Sequence, residues 1–303
     1  MGTNHARILR DLDSLEAIVE QSPTRRKRLH ELGYGKFLRS SIEETESHGY
    51  VIATPSASHR KILEKTLQKT NFILLEKPAL LNEKEYKSIL ENFDTSKICV
   101  GHIERFNPAV EKAKEDFSSS ISRCEFFRYS SRPKQIKDVG VWKDLGVHDV
   151  DLMIHFMGIP ESVACHAVMD NNIDISFHAN FGFSDGKSAA VNVSWLSTAK
   201  RREVQIYGLD GEANVDLLKQ KISFLSEHQQ SSKPDNHFSP TVSQSKMIYD
   251  MARAEPLRRE IEHFLRVVKG EEKPLISLEH AQLVESIISK SYQSFRLGKR
   301  IEI

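Results

Sequence analysis

Hydrophobic and polar positions alternate in two different ways along this chain, and the change falls near residue 104. Before it, short apolar runs are separated by segments of helical spacing. HARILRDL (5–12) reads as a helix and LEAIV (15–19) as a strand. PTRRKRLHEL (23–32) opens with proline and is closed by Gly33, the signature of a helix with a C-terminal stop. YVIAT (50–54) is a strand, SASHRKILEKTLQK (56–69) a helix with a Ser cap, FILL (72–75) a strand, NEKEYKSILENF (82–93) a helix and KICVGH (97–102) a strand. Apolar strands alternating with helices of this length predict βαβ units and a parallel sheet covered on both faces.

After residue 104 the pattern becomes strand-rich. A helix is predicted at 107–117 and a strand at 122–130, and a nearly all-apolar helix follows. Successive strands then fill 161 to about 225, with Ser184-Asp185-Gly186 and Leu209-Asp210-Gly211 marking antiparallel hairpins. Residues 228–245, polar and rich in Ser and Pro, read as a long loop. Two helices, near 255–269 and 278–296, and a short strand RIEI close the chain. The prediction is an α/β chain: a Rossmann-like doubly wound parallel domain over 1–103, then an α+β domain with a mostly antiparallel sheet over 104–303. In the doubly wound reading a strand and a glycine turn stand ahead of Gly2. Here Met1 leads at once into Gly2-Thr3-Asn4-His5-Ala6 and a helix, so the first strand is expected to be missing and Gly2 to be the last glycine of the turn. The alternative is a natural N-terminus at which Gly2 has no role.

Composition narrows the function classes. The chain has 303 residues, room for two ordinary domains. Its 43 Lys and Arg nearly balance 42 Asp and Glu, which leaves no electrostatic basis for nucleic acid or an anionic membrane as partner. The cluster RRKR (25–28) reads as a solvated helix face. No apolar run approaches the roughly 18 residues that span a bilayer, and no signal-peptide pattern is seen. Cys99, Cys124 and Cys165 are odd in number and far apart, fitting reduced, buried thiols in a cytoplasmic protein rather than a disulfide framework or zinc motif.

Three stretches carry candidate chemistry. DLGVHDVDLMIH (144–155) places Asp144, His148, Asp151 and His155 within roughly 60° of one another on a regular helix that is otherwise apolar, with Asp149 the one interruption. Such a stripe is a buried polar network, a metal site or one wall of an active site. Glu20 ends the LEAIV strand 18 residues after Gly2. A carboxylate there accepts hydrogen bonds from the adenosine ribose in NAD-type sites, although Arg25 and Arg26 leave NADP open, and an exposed turn glutamate is the plainer alternative. NFILLEKP (71–78) runs an apolar strand into Glu76-Lys77-Pro78, which delivers Lys77 to the carboxyl edge of a parallel sheet, where ligands bind. Pro78 restricts the lysine backbone and is also a candidate for a cis bond. For the lysine alone, a surface salt bridge between Glu76 and a neighbour is the better reading.

Taken together, GxNHAR (Gly2 to Arg7), ATPSASH (53–59), EKP (76–78), GHIERFNP (101–108) and DLGVHDVDL (144–152) resemble the Gfo/Idh/MocA family of NAD(P)-dependent oxidoreductases, in the family's order and over nearly the whole chain. The sequence departs from the family in lacking the first strand and two glycines of the fingerprint, and in carrying Lys143 where small or apolar residues are usual. The resemblance implies a Rossmann domain, a second domain with a large open antiparallel sheet, and a site formed between them. Its cofactor residues would be Gly2, Asn4, His5, Glu20, Thr54, Pro55, His59, Glu76 and Lys77, with NAD expected and NADP possible in principle. By the same resemblance Lys77, Asp144 and His148 match the catalytic lysine and Asp/His pair of inositol-dehydrogenase-like members. His148 then serves as base, Asp144 binds substrate and tunes it, and Lys77 stabilises or relays charge at the reacting oxygen. No metal is expected at Asp144, His148 and Asp151, because Lys77 would bring a cation into the same pocket.

GHIERFNP resembles the family's sugar-nucleotide branch, which makes Arg105 and Asn107 substrate candidates; stabilisation of the domain junction is the alternative. Arg128, Arg132 and Lys134 are candidates for holding a diphosphate, or else solvated charges. Trp195 and Tyr207 are read as core or interface residues. The expected function is oxidation of a hydroxyl of a sugar or nucleotide sugar, a UDP-N-acetylhexosamine first. An inositol or free-sugar dehydrogenase, and a non-catalytic binding protein that has lost the cofactor turn, are the rivals. An open sheet with an apolar face predicts a homo-oligomer.

Overall fold

The computed structural model describes residues 1–117, 121–133, 139–208, 211–229 and 242–303. These form two compact units, Met1–His102 with Leu257–Leu283, and Ile103–Pro256 with Val284–Ile303. Lys134, Leu209, Asp210 and residues 230–241 of the expected long loop lie outside the described residues.

The first unit runs α1 (Gly2–Asp11), β1 (Ile18–Val19), α2 (Pro23–Leu29), β2 (Leu38–Arg39), β3 (Tyr50–Ile52), α3 (His59–Leu67), β4 (Ile73–Leu75), α4 (Glu83–Asn92) and β5 (Ile98–Val100). All its strand pairings are parallel, as the alternation of strand and helix predicts. The pairing is divided, however: β1 and β2 form one sheet and β3, β4 and β5 another. β4 and β5 are buried at every position, which matches their continuously apolar sequence. Helix starts follow local chemistry. Ser22 accepts the Arg25 N–H at the head of α2, and Asn82 accepts the Glu85 N–H at the head of α4. The Ser cap expected before α3 is not made. A tight turn over Ser56–Ser58 intervenes, and Ser58 Oγ instead donates to Thr54 Oγ1 and the Pro55 carbonyl.

The second unit contains α5 (Pro108–Phe117), β6 (Ile121–Ser131), α6 (Val147–Met157), β7 (Ser162–Asp170), β8 (Ile173–Gly182), β9 (Ser188–Ser194), β10 (Leu196–Gly208), β11 (Gly211–Asp216), β12 (Lys221–Gln229) and β13 (Val242–Asp250). The chain then enters α7 (Pro256–Val268) and α8 (Leu278–Leu297) and ends in β14 (Ile301–Glu302). α7 and the start of α8 belong to the first unit. There Val100 donates to the Ile276 carbonyl, and Gly49 leaves room for Phe264 and Val268, which would stand 3.0 and 2.9 Å from an added Cβ.

Among the described residues the second unit has one sheet of nine strands in the order β13-β12-β11-β10-β6-β9-β8-β7-β14. Every neighbouring pair is antiparallel except β6 and β9, which run parallel in register from Arg123↔Ser188 to Tyr129↔Ser194. The large antiparallel sheet is thus present. At both ends of the loop expected over 228–245 the chain is strand instead, because β12 and β13 pair from Lys221↔Asp250 to Gln229↔Val242. The polar composition of 242–246 concealed a strand whose pairing is supplied by its neighbour.

A buried ion network joins α6 to this sheet. Arg128, on β6, is 1% exposed. Its guanidinium donates twice to Asp149 on α6, at 2.8 and 2.9 Å, and once to Glu104, at 2.8 Å. Arg202 on β10 reaches the same Glu104 oxygen at 3.4 Å. Burial pushes the Glu104 carboxyl up, but the guanidinium of Arg128, Arg202 and the Asn107 hydrogen bond together hold the group below the usual range. Asp149 is raised, with burial the larger influence and Arg128 opposing it. The three cysteines are buried free thiols, each pushed up to about 12 by burial. No described helix is long and apolar enough to cross a membrane.

Arg128→Ala leaves two buried carboxylates without their cation. Urea unfolding should show a loss of about 3–5 kcal/mol. A loss under about 1 kcal/mol would mean that water reaches the site.

Candidate functional site

In the first unit, predicted cofactor residues gather beyond the carboxyl ends of the parallel strands. α1 begins beside Ala53, just past β3: a Cβ on Gly2 would lie 3.7 Å from the Ala53 carbonyl, an ordinary contact, so bulk alone does not demand glycine there. Thr54 and Pro55 follow and are exposed. His59 is buried, with Nε2 2.8 Å from the Thr54 carbonyl and Nδ1 3.0 and 3.2 Å from those of Pro78 and Ala79. It therefore ties the segment after β3 to the segment after β4. Lys77 is half-exposed, its N–H donates to Glu76 Oε2 at 3.3 Å, and the Lys77–Pro78 bond is cis. His5 and Glu76 are buried and bonded to each other at 2.7 Å, whereas Gly2 and Asn4 are exposed.

Glu20 follows β1, half-buried, and accepts the Ser22 N–H at 2.8 Å. Arg26 is committed to the backbone, donating to the carbonyls of Glu20 (3.1 Å) and Arg39 (2.6 Å). Arg25, largely exposed, stands 3.9 Å from the Glu20 carboxylate. A helix N-terminus, an acidic side chain after β1 and an exposed turn after β3 fit a dinucleotide: N–H groups for its phosphates, a carboxylate for its ribose. With Arg26 engaged, Arg25 is the nearer charge that a 2′-phosphate would meet.

In the second unit, the striped helix is divided. Residues Trp142–Gly146 form a widened helical turn before α6. Asp144 therefore does not share the regular spacing of the residues after it, and the expected single stripe separates. Asp144 and His148 are half-exposed. Asp151 is buried and accepts from Arg105 at 3.2 Å, and Asp149, the apparent interruption of the apolar face, meets Arg128. Asn107 is buried, donates to the Leu217 carbonyl at 3.0 Å and accepts the Ala109 N–H at the head of α5. Arg128 is neither a solvated charge nor a surface ligand but the centre of the buried network. Arg132 donates to Asp170 at 2.9 Å and lies 5.6 Å from the centre of the Trp195 ring. Trp195 is buried, as read from the sequence.

Three supporting residues, Asp174, Gly140 and Trp142, carry no signal in the sequence. Asp174, on β8, accepts the Trp142 N–H at 2.7 Å and the Tyr292 hydroxyl at 2.9 Å. Gly140 makes this possible, since a Cβ there would fall 1.7 Å from Asp174 Oδ1, and the Gly140 carbonyl accepts the Asp144 N–H at 3.0 Å. Trp142 stacks on Phe177 with ring centres 4.5 Å apart, and Lys143 pairs with Glu285 on α8 at 3.0 Å. The lysine that departs from the family pattern thus has a partner within the same unit.

Comparison with known proteins bears on this arrangement. Residues 127–303 match the family described as "Oxidoreductase family, C-terminal alpha/beta domain", of the Gfo/Idh/MocA type. The chain belongs to the Gfo/Idh/MocA oxidoreductase family. This family member is 23% identical over 299 residues to the scyllo-inositol 2-dehydrogenase (NAD(+)) of Bacillus subtilis, covering 90% of this chain and 83% of that protein. It is 25% identical over 223 residues to the UDP-N-acetylglucosamine 3-dehydrogenase of Acidithiobacillus ferrooxidans, covering 72% of this chain and 69% of the relative. A solved structure of that enzyme has the same fold, with a TM-score of 0.84, 20% identity, and coverage of 97% of this chain and 94% of the other. The WlbA dehydrogenase of Bordetella pertussis, solved with NADH and UDP-GlcNAcA, gives a TM-score of 0.76 at 17% identity, over 99% of this chain and 94% of that one.

For this Gfo/Idh/MocA member, Gly140→Ala should displace Asp174 and release the turn that carries Asp144. The expected loss is about 1–3 kcal/mol in chemical unfolding. An unchanged unfolding midpoint would show that Asp174 has another position to adopt.

Proposed function

We propose that this chain oxidises a hydroxyl of a nucleotide sugar, a UDP-N-acetylhexosamine, in the cytoplasm. The coarser part rests on family membership: the chain is a dehydrogenase acting on CH–OH groups of sugar-type substrates, with NAD as its cofactor. One observation supports the finer part. The same UDP-N-acetylglucosamine 3-dehydrogenase of A. ferrooxidans resembles this chain both in sequence and in fold.

NAD, when bound, supplies the hydride acceptor. In this reading the N-terminus of α1, with Gly2 and Asn4, meets its phosphates, Glu20 its ribose, and Thr54 and Pro55 flank it. His5, Glu76 and His59 act from behind as positioning residues. His148 accepts the substrate hydroxyl proton, a role suited to an imidazole whose unperturbed pKa is about 6.5. Asp144 binds neighbouring hydroxyls and orients His148. Lys77 donates to the reacting oxygen as negative charge develops there. Arg105, Asn107 and Arg132 are proposed to act towards the substrate. Arg105 and Asn107 do so through the buried bonds that fix the Ile103–Phe106 turn and the head of α5.

A free inositol is the second reading, because the inositol relative matches more of the chain, 90% against 72%. Exposed apolar side chains on the large sheet, among them Val168, Leu196 and Ile248, support a homo-oligomer formed through it.

The decisive assay follows NAD reduction with UDP-N-acetylglucosamine, UDP-N-acetylgalactosamine, scyllo-inositol and free glucose. Turnover with a UDP-sugar, competitively inhibited by UDP, is expected. Turnover with inositol alone, insensitive to UDP, would establish the second reading. In the active protein, His148→Ala should lower kcat about 10²–10⁴-fold while changing stability by less than about 1 kcal/mol. Unaltered turnover would remove His148 from the chemistry.

A further inference from the structure

The first unit buries an acid that its own fold leaves unanswered. Glu260 lies on α7 and is 2% exposed, and among the described residues neither of its carboxylate oxygens has a hydrogen-bond partner. His5 on α1 is 2% exposed and Glu76, after β4, is 7% exposed. These two are bonded to each other, yet His5 Nδ1 is also buried and has no hydrogen-bond partner among the described residues. One ligand atom from each of the three residues lies within 4.8 Å of the others.

Protonation alone does not resolve this arrangement. Burial, and after it the nearby Glu76 carboxylate, raises the Glu260 carboxyl well above its usual range. A neutral carboxyl in this position still carries an O–H and a carbonyl that need partners. A divalent cation would answer the two carboxylates and the imidazole together, and would bring their combined charge to neutrality. Bonds of about 2.0–2.2 Å to a metal span at most about 4.4 Å between two ligands, so the three groups need close by only a few tenths of an ångström.

We propose that His5, Glu76 and Glu260 bind a first-row divalent metal ion within the first unit. One imidazole and two carboxylates are the donor set that zinc and its neighbours take, with water as a fourth ligand, rather than the all-oxygen set of calcium or magnesium. The ion would join three elements distant in sequence: the first helix, the end of β4, and the helix that enters this unit from beyond residue 256. It is separate from the Asp144, His148 and Asp151 set considered for a metal above, and it departs from the expectation of no metal. Its role would be to clamp the fold.

The test uses the full chain, without any assay of turnover. After treatment with a chelator and desalting, the protein is incubated with Zn²⁺, desalted again, and its metal content measured by mass spectrometry alongside its melting temperature. About one tightly held zinc per chain is expected, with a rise in Tm of about 2–6 °C. Co²⁺ in place of zinc should give visible absorption bands of a nitrogen- and oxygen-ligated ion. Glu260→Gln, which keeps the shape of the side chain, should lose both the zinc and the Tm rise. Two results would overturn the proposal. One is less than about a tenth of an equivalent of zinc and no Tm shift in the unaltered chain, which would leave a carboxyl pair sharing a proton. The other is full zinc retention by a folded Glu260→Gln protein, which would place the metal on other histidines. The measurements on the unaltered chain decide the matter even if the variant does not fold.

Discussion

Arg128 is a cation that the second unit has taken out of water, and much of that unit is arranged to answer it. Its guanidinium receives Asp149 from α6 and Glu104 from the Ile103–Phe106 turn, with all three bonds at 2.8–2.9 Å. Removing such an ion from solvent costs several kcal/mol, which is offset only when its donors are met in good geometry. The consequence is directional. Turning α6 by one residue, about 100°, would withdraw Asp149 and leave the guanidinium buried and unpaired. Hydrophobic packing alone would tolerate several rotations of a helix that is apolar almost all round, whereas the bidentate bond accepts one. With Asp149 fixed inward, Asp144 and His148 remain half-exposed on the turn before α6 and at its start.

The first unit solves the same positioning problem with fewer strand residues. Its strands are only two or three residues long, so backbone ladders cannot by themselves fix the segments that follow them. Polar side chains do that instead. His59 spans three carbonyls beyond β3 and β4, and Arg26 spans the carbonyls that close β1 and β2. Buried polar groups that meet their partners in one geometry give specificity where the apolar core gives mainly cohesion. In the proposed reading these segments are also the ones that meet the dinucleotide.

For a Gfo/Idh/MocA dehydrogenase this division has chemical meaning. Lys77, Asp144 and His148, all half-exposed, stand on segments whose backbones are held by buried bonds. In the proposed reading such supports hold the reacting groups in one geometry. Glu260, in the first unit, is a buried acid with no hydrogen-bond partner among the described residues. In a structure where other buried charges, such as Arg128, are met, that imbalance draws attention to it.

Legible from the residues alone were the kind of protein and the way its strands pair. Continuous apolar strands between helices specified parallel pairing, because only strands covered on both faces can be apolar throughout, and the motifs EKP and DLGVHDVDL marked the family. Packing in three dimensions settled which polar residues are buried and bonded and which stay partly exposed. Asp149 looked like an interruption, Arg128 like a phosphate ligand and Asn107 like a substrate contact, yet all three are buried and bonded inside the second unit. The widened turn at Trp142–Gly146, the clearance that Gly140 provides for Asp174, and the strand at Val242–Asp250 were likewise invisible beforehand. The reason is common to all of them. Each depends on a partner between 13 and 110 residues away in the chain, and a charge or a polar run carries no periodicity that says whether water or another side chain will meet it.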